Sequence, residues 1–425
     1  MRSTRLVTVL AVALAASLEP QGTGQQATFL VRDVRVFDGE RVAERQDVLV
    51  ENGVITRVGA TGFSVPRGTT VIDGRGRTLL PGLIDAHVHV SDSAAADLGQ
   101  ALSLGVTTVL DMFSGAARFE RIKALRSADP PDIAAVRTAG VGATAPGGHP
   151  SQMGGPPFPT ITDSGEAVAF VNARIAEGSD YIKIIYDDLS SLGMSVPMLD
   201  RRTLAGLIAA AHARGKVAVV HILSEEQARV AVEAGADGLV HLFTGESVSP
   251  DFARLVASRG AFVIPTLSVL SASCGQPSGA KIANDSLLRP YIRPSLRRMM
   301  SMTMRARGGA TSCEATREAI RQLARHGVPI LAGTDAPGLG QTYGASLHGE
   351  LELLVGAGLT PAHALAAATR APARAFGITD RGRIAPGLRA DLVLVDGDPT
   401  TDILGTRRIA MVWKRGVLAK RATYE

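Results

Sequence analysis

Between residues 83 and 335, eight short apolar runs alternate with helix-like segments, and few architectures accept that order. The runs cover 83–89, 106–111, 132–138, 181–186, 216–221, 238–241, 261–266 and 328–335. Segments of helical periodicity lie between most of them, at 94–104, 167–177, 202–214, 225–234, 252–259 and 314–325. A strand covered on both faces reads as a continuous apolar run, and strands separated by helices pair in parallel. Eight such units predict an α/β chain folded as a (β/α)8 TIM barrel over residues 81–380. Chemistry in such a barrel belongs at the carboxyl ends of the strands. Two long connections, 139–166 and 267–313, are expected to shape access to that face.

The two ends of the chain read differently. Short alternating strands at 29–36, 47–50, 53–58 and 70–73, and again at 390–395, 409–413 and 417–418, are punctuated by Asp-Gly, Asn-Gly and Arg-Gly turns. Neither end supplies enough strands for a closed sheet. The prediction is one small β-sandwich domain built from both termini, residues 28–80 and 381–425.

The 425 residues are 45% hydrophobic and 20% charged, which excludes intrinsic disorder. The net charge of +5 is mostly arginine, since only six of 45 basic residues are lysine, and it is spread without a basic block. With 4% aromatics besides, nucleic acid is excluded as a partner. The expected partner is a small-molecule substrate. The barrel exterior carries no interface signal, and a homo-oligomer stays open.

Residues 1–25 read as a signal peptide. Arg2 and Arg5 give a positive start, residues 6–18 form an apolar core, and Ala13, Ala15, Ala16 and Ser17 offer small cleavage positions. A membrane span needs roughly 20 residues, so no stable span is expected. The protein is expected to be exported, periplasmic or extracellular. Cys274 and Cys313 fit that compartment as a disulfide, and two unpaired cysteines are the alternative.

Chemistry-bearing residues gather at the predicted strand ends. His87 and His89 close the first run, His221 the fifth, His241 the sixth and Asp335 the eighth. Positions two apart on a strand share a face. Each residue alone could be a hydrogen-bonded polar group; four histidines and an aspartate on one rim suit a divalent metal such as zinc. Lys183 lies inside an apolar strand, where burial favours the neutral amine. A neutral amine can take up carbon dioxide as a carbamate, an anionic ligand able to bridge two metals. The alternative is a salt bridge to Asp335.

These segments, together with Leu80-Pro-Gly-Leu-Ile-Asp-Ala-His-Val-His89, Gly238-Leu-Val-His241, Ala332-Gly-Thr-Asp335 and residues 387–395, resemble the amidohydrolase superfamily. The likeness runs over about residues 28–420 and is greatest to the branch of imidazolonepropionase and the metal-dependent dipeptidases. The resemblance implies two divalent ions, expected to be Zn2+. His87, His89 and Asp335 would hold one ion, His221 and His241 the other, and carboxylated Lys183 would bridge both. It further implies hydrolysis of a C–N bond by metal-bound hydroxide, with Asp335 as general acid and base. His149, in Pro146-Gly-Gly-His-Pro150, is expected to contact substrate and stabilise the oxyanion, with Tyr186 as a further substrate contact. His348 and Glu350 are expected to pack or support. Leu223 stands where related dipeptidases often carry a hydroxyl or imidazole, which weakens the dipeptidase assignment. The arginines of 289–307 read as a surface helix or as a lid offering a cation to the substrate. Ester, lactone or phosphotriester hydrolysis on the same site, and a barrel that has lost catalysis, are the competing readings.

Overall fold

The computed structural model describes residues 28–276, 278–302, 312–338 and 340–424. The expected signal peptide therefore lies outside the described residues, as do Arg305 and Arg307. Five strands open the chain: β1 (Phe29–Phe37), β2 (Val42–Glu51), β3 (Val54–Ala60), β4 (Thr70–Asp73) and β5 (Arg77–Pro81). Seven parallel strands follow: β6 (Leu83–Val88), β7 (Val106–Asp111), β8 (Ala135–Thr138), β9 (Ile182–Ile185), β10 (Ala218–His221), β11 (Gly238–Val240) and β12 (Phe262–Ile264). The chain closes with β13 (Leu392–Asp396), β14 (Ile409–Lys414) and β15 (Val417–Leu418).

The terminal strands interleave, because β5 pairs with β1 on one side and β13 on the other. They form one sheet of eight strands, seven in a single hydrogen-bonded path and β4 paired to β1 beside it, so the expected sandwich is bonded as a single sheet. Phe29 stacks on Trp413 at 5.1 Å between ring centres, joining the two ends of the chain in one apolar cluster with Val48, Leu79 and Leu392.

The parallel strands form two sheets, β6-β7-β8 and β12-β11-β10-β9. Single parallel bridges link them: Ala143 to Ile184 on one side, Val263 to Ile330 and Val88 to Ala336 on the other. The eighth run is thus a bridged segment and no regular strand. Pro329 has no amide hydrogen to donate, and Asp335 has a left-handed backbone (φ 62°), so the ladder is interrupted at both ends. One face of the strands buries Ile84, Ala86, Leu110, Val219, Val240, Ile264 and Leu331 together. The other face packs on helices, among them Ala94–Ser103, Arg201–His212 and Glu314–Arg325.

The long connection after β12 folds into helices Leu267–Ser273, Ser278–Ala283 and Pro294–Met300. Its Arg293 forms an ion pair with buried Asp97 and donates its backbone N–H to Gln100, both on the helix Ala94–Ser103. Arg293 therefore fastens this connection to the strand-bearing body and is not a lid cation facing substrate.

Cys274 and Cys313 are joined, with Cα atoms 6.1 Å apart and 39 residues of separation. Closing such a loop removes unfolded-state entropy worth about 4 kcal/mol. Replacing both cysteines by Ser is expected to lower the urea unfolding midpoint while leaving turnover at 25 °C intact. An unchanged midpoint would mean that the bridge constrains nothing.

Candidate metal centre

Alternation alone would not gather these side chains. Val240 and Ala86 already face the inner cluster, so their successors His241 and His87 should point outward. Two local departures turn them in. The register of β6 against β7 slips between Asp85 and Val88, and His241 adopts a left-handed backbone at φ 70°. Asp335 and Thr266 are also left-handed, at φ 62° and 49°. Such conformations cost of order 1–3 kcal/mol each for residues with a side chain and concentrate where function requires them. Close approach helps as well: a Cβ on Gly333 would stand 2.9 Å from the His87 backbone nitrogen, so only glycine lets the Asp335 segment lie against β6.

His87 Nε2, His89 Nε2 and Asp335 Oδ1 form a triangle. The histidine nitrogens are 3.2 Å apart, and each is 3.1 Å from the carboxylate oxygen. Those separations match the edges of a coordination polyhedron, since ligands at about 2.0–2.1 Å in a tetrahedron are roughly 3.3 Å apart. The His241 ring lies 4.9 Å from that of His87 and 4.6 Å from that of His221, and the His149 ring is 5.0 Å from His221, centre to centre. Five of the predicted site residues and His149 therefore converge on one place.

Lys183 is buried there too, its Nζ without a hydrogen-bond partner. The alternative of a hydrogen-bonded salt bridge to Asp335 is thus not formed. Burial brings its amine down to about 7, within reach of the neutral form. Burial also brings His87 down to about 3 and holds His221 and His241 well below the usual imidazole range. Burial pushes Asp335 up, but His87 and the hydrogen bonds from His87 and His89 outweigh it and hold the carboxyl well below its usual range. Neutral imidazoles and one anionic carboxylate present open lone pairs. The donor set therefore fits divalent metal ions.

Hydrogen bonds outside the cluster select which ring nitrogen stays available. His241 shares a 2.6 Å bond through Nδ1 with Thr266 Oγ1, leaving Nε2. His221 Nε2 lies 3.3 Å from Asp187 Oδ2, leaving Nδ1. Gln152 donates from Nε2 to His149 Nδ1 at 2.7 Å, so the proton of His149 sits on Nε2. Glu350 fixes Thr266 from behind, accepting from the backbone N–H groups of Leu267 and Ser268 at 2.7 Å. Burial raises Glu350 to about 7. Such supporting partners typically change metal affinity or activity by about 10–100-fold. Thr266→Val keeps the shape and removes the hydroxyl, so a loss of about tenfold in kcat/KM is expected. Unchanged kinetics would show that His241 is oriented by packing alone.

Other expectations fare differently. The charged neighbours of the Tyr186 hydroxyl are Arg201, Glu226 and Asp200, none of which belongs to the cluster, so its substrate role has no contact to support it. His348 spends both nitrogens on structure, bonding Thr406 Oγ1 and the Leu104 carbonyl at 3.0 Å each. Asp187, Thr266 and Asp85 are not among the residues expected from sequence. Asp85 could have been, because it stands two residues before His87; it accepts from Thr334 N and Oγ1 and so clamps the Asp335 segment to β6. Asp187 carries no comparable spacing signal.

Imidazolonepropionase of Ruegeria sp. (strain TM1040) is 45% identical over 82 residues, 18% of this chain and 19% of that protein, so the chain spans only about a fifth of that relative's length. A Xaa-Pro dipeptidase crystallised with methionine in its active site has the same fold, with a TM-score of 0.73, 23% identity and coverage of 93% of this chain and 100% of that one. Molinate hydrolase superposes with a TM-score of 0.74 at 20% identity, over 93% of this chain and 95% of its own. Residues 78–419, from β5 to the end of the terminal sheet and with every clustered donor inside, match the amidohydrolase family, and the chain belongs to that family.

Proposed function

We propose that this protein is an exported, metal-dependent hydrolase that opens a C–N bond in a small molecule: an amide, a cyclic amide or a dipeptide. The observation that carries the reading is the meeting of His87, His89 and Asp335 ligand atoms within 4.8 Å of one another, beside a buried Lys183 amine without a partner. The bridges at Ala143, Ile330 and Ala336 support the two sheets being one (β/α)8 barrel with the cluster at its carboxyl-end mouth.

In this reading His87, His89 and Asp335 would hold one divalent ion and His221 and His241 a second, and Lys183, as its carbamate, would supply a further anionic ligand. Zn2+ suits these donors. Bound divalent ions lower the pKa of water toward 7 and polarise a carbonyl. Asp335 accepts the proton released from water at its carboxylate and returns it to the departing nitrogen. His149, with its proton on Nε2, donates a hydrogen bond to the oxygen that gains charge. The basic, apolar start of residues 1–25 and the Cys274–Cys313 bridge support export.

The test is activity before and after removal of divalent ions by a chelator, across N-acyl amino acids, dipeptides, lactones and phosphotriesters. The expected result is C–N cleavage, abolished by chelation and restored by Zn2+ or Mn2+. Turnover of lactones or phosphotriesters alone would replace the C–N assignment, and a protein inert to every substrate would overturn the enzyme reading.

A further inference from the structure

The helix after β10, Glu225–Glu233, starts on a capping box. Ser224 Oγ accepts from the Gln227 backbone N–H at 3.2 Å. In return Gln227 Oε1 accepts from the backbone N–H groups of Ser224 at 3.1 Å and Leu223 at 2.9 Å. A cap of this kind uses only the side-chain oxygen, so glutamate serves it as well as glutamine. The amide nitrogen of Gln227 is not needed for it.

That nitrogen does not face water. Gln227 is 7% exposed, and its Nε2 donates to Asp187 Oδ1 at 3.0 Å and to Asp188 Oδ1 at 3.3 Å. Asp187 is 1% exposed, and its Oδ1 also accepts the backbone N–H of Leu189 at 3.0 Å. Its other oxygen, Oδ2, lies 3.3 Å from His221 Nε2. An ionised glutamate at 227 would bring acceptors alone against two carboxylates. The cap is indifferent between the two residue types, whereas the aspartates require the donor.

A carboxylate turns about two side-chain bonds. Here one oxygen is held by donors from two different elements, the loop after β9 and the helix after β10, and this aims the other oxygen at His221. His221 is thereby set with Nε2 on the carboxylate and Nδ1 open. An outer partner of this kind fixes both the ring and the available nitrogen of a metal-binding histidine.

We propose that Gln227 is a positioning residue for the ion at His221 and His241: it orients Asp187, which orients His221. The inference rests on the two-ion reading of the site and names what sets the affinity of one ion within it. The hydrogen bonds of the Gln227 side chain go to Leu223, Ser224, Asp187 and Asp188, and none goes to His87, His89 or Asp335. The other ion should therefore be insensitive to residue 227.

Equilibrium dialysis of the full chain against buffers of fixed free Zn2+, with bicarbonate present and metal content read by atomic absorption, measures the two affinities independently of turnover. Wild type is expected to take up two ions. Gln227→Met keeps the length of the side chain and removes the donor. It should weaken one site by about tenfold, the lower end of the range for outer partners because it acts through Asp187, and leave the other unchanged. Asp187→Ala should weaken the same site at least as much, and Gln227→Met added to it should cost nothing further, because the path is already cut. Ser224→Ala weakens the cap and keeps the Gln227 amide, so both affinities should stay at wild-type values. Wild-type affinities in Gln227→Met, the same loss with and without Asp187, or an equal loss in Ser224→Ala would each overturn the inference and leave the two-ion reading standing. Uptake of fewer than two ions by wild type would overturn that reading and the inference with it.

Discussion

Asp335→Asn is expected to lower kcat by about 10^3-fold or more, with little change in KM, because it removes the group proposed to move the proton in both halves of the reaction. The substitution keeps the size of the side chain and the left-handed backbone that asparagine tolerates, so the fold should survive. It loses the charge that His87 and His89 share at 3.1 Å each. An amide oxygen can still accept a hydrogen bond, but it cannot take up a proton near neutral pH. Activity within tenfold of wild type would remove Asp335 from the proton path and leave it as a positioning group only.

The second large effect is expected at Lys183. Its Nζ is buried and unpartnered, and its amine is brought down to about 7, so a carbamate can form and would be anionic where the bare amine is cationic or neutral. Lys183→Ala should remove the ligand proposed to join the two ions. Loss of several kcal/mol of transition-state stabilisation corresponds to roughly 10^3-fold in kcat/KM. Metal content should fall at the same time, measured on the same preparation, and circular dichroism should be unchanged. A variant with full metal content and wild-type kinetics would make Lys183 a buried amine without a role in the centre.

Both effects arise from residues visible in the sequence, and the reason is physical. Lys183 stands out because an amine interrupts an apolar strand in a chain with six lysines. His87, His89, His221 and Asp335 stand out because they end apolar runs. What the sequence hides is backbone conformation. His241 faces the cluster only through a left-handed residue, and Thr266 reaches it through another. Asp187 acts through a hydrogen bond to a residue 34 positions away, which no local spacing records.

The fold shows the same division. Helix Glu314–Arg325 was legible to its ends, since its apolar residues repeat along one face. The eighth strand read as continuous because periodicity weighs side chains, whereas Pro329, Gly333 and the turn at Asp335 act on the backbone. The helix Ala116–Ala128 went unread, since only Phe119 and Ile122 along it are buried. The Arg293 lid failed because its true partners, Asp97 and Gln100, lie nearly 200 residues earlier in the chain.

The pair of ions is tested most directly by anomalous X-ray diffraction at the zinc edge, on crystals of the full chain grown with Zn2+. Two peaks are predicted, one in contact with His87, His89 and Asp335, the other with His221 and His241, and both beside elongated density on Lys183. Peaks elsewhere, or none within bonding distance of these side chains, would contradict the account.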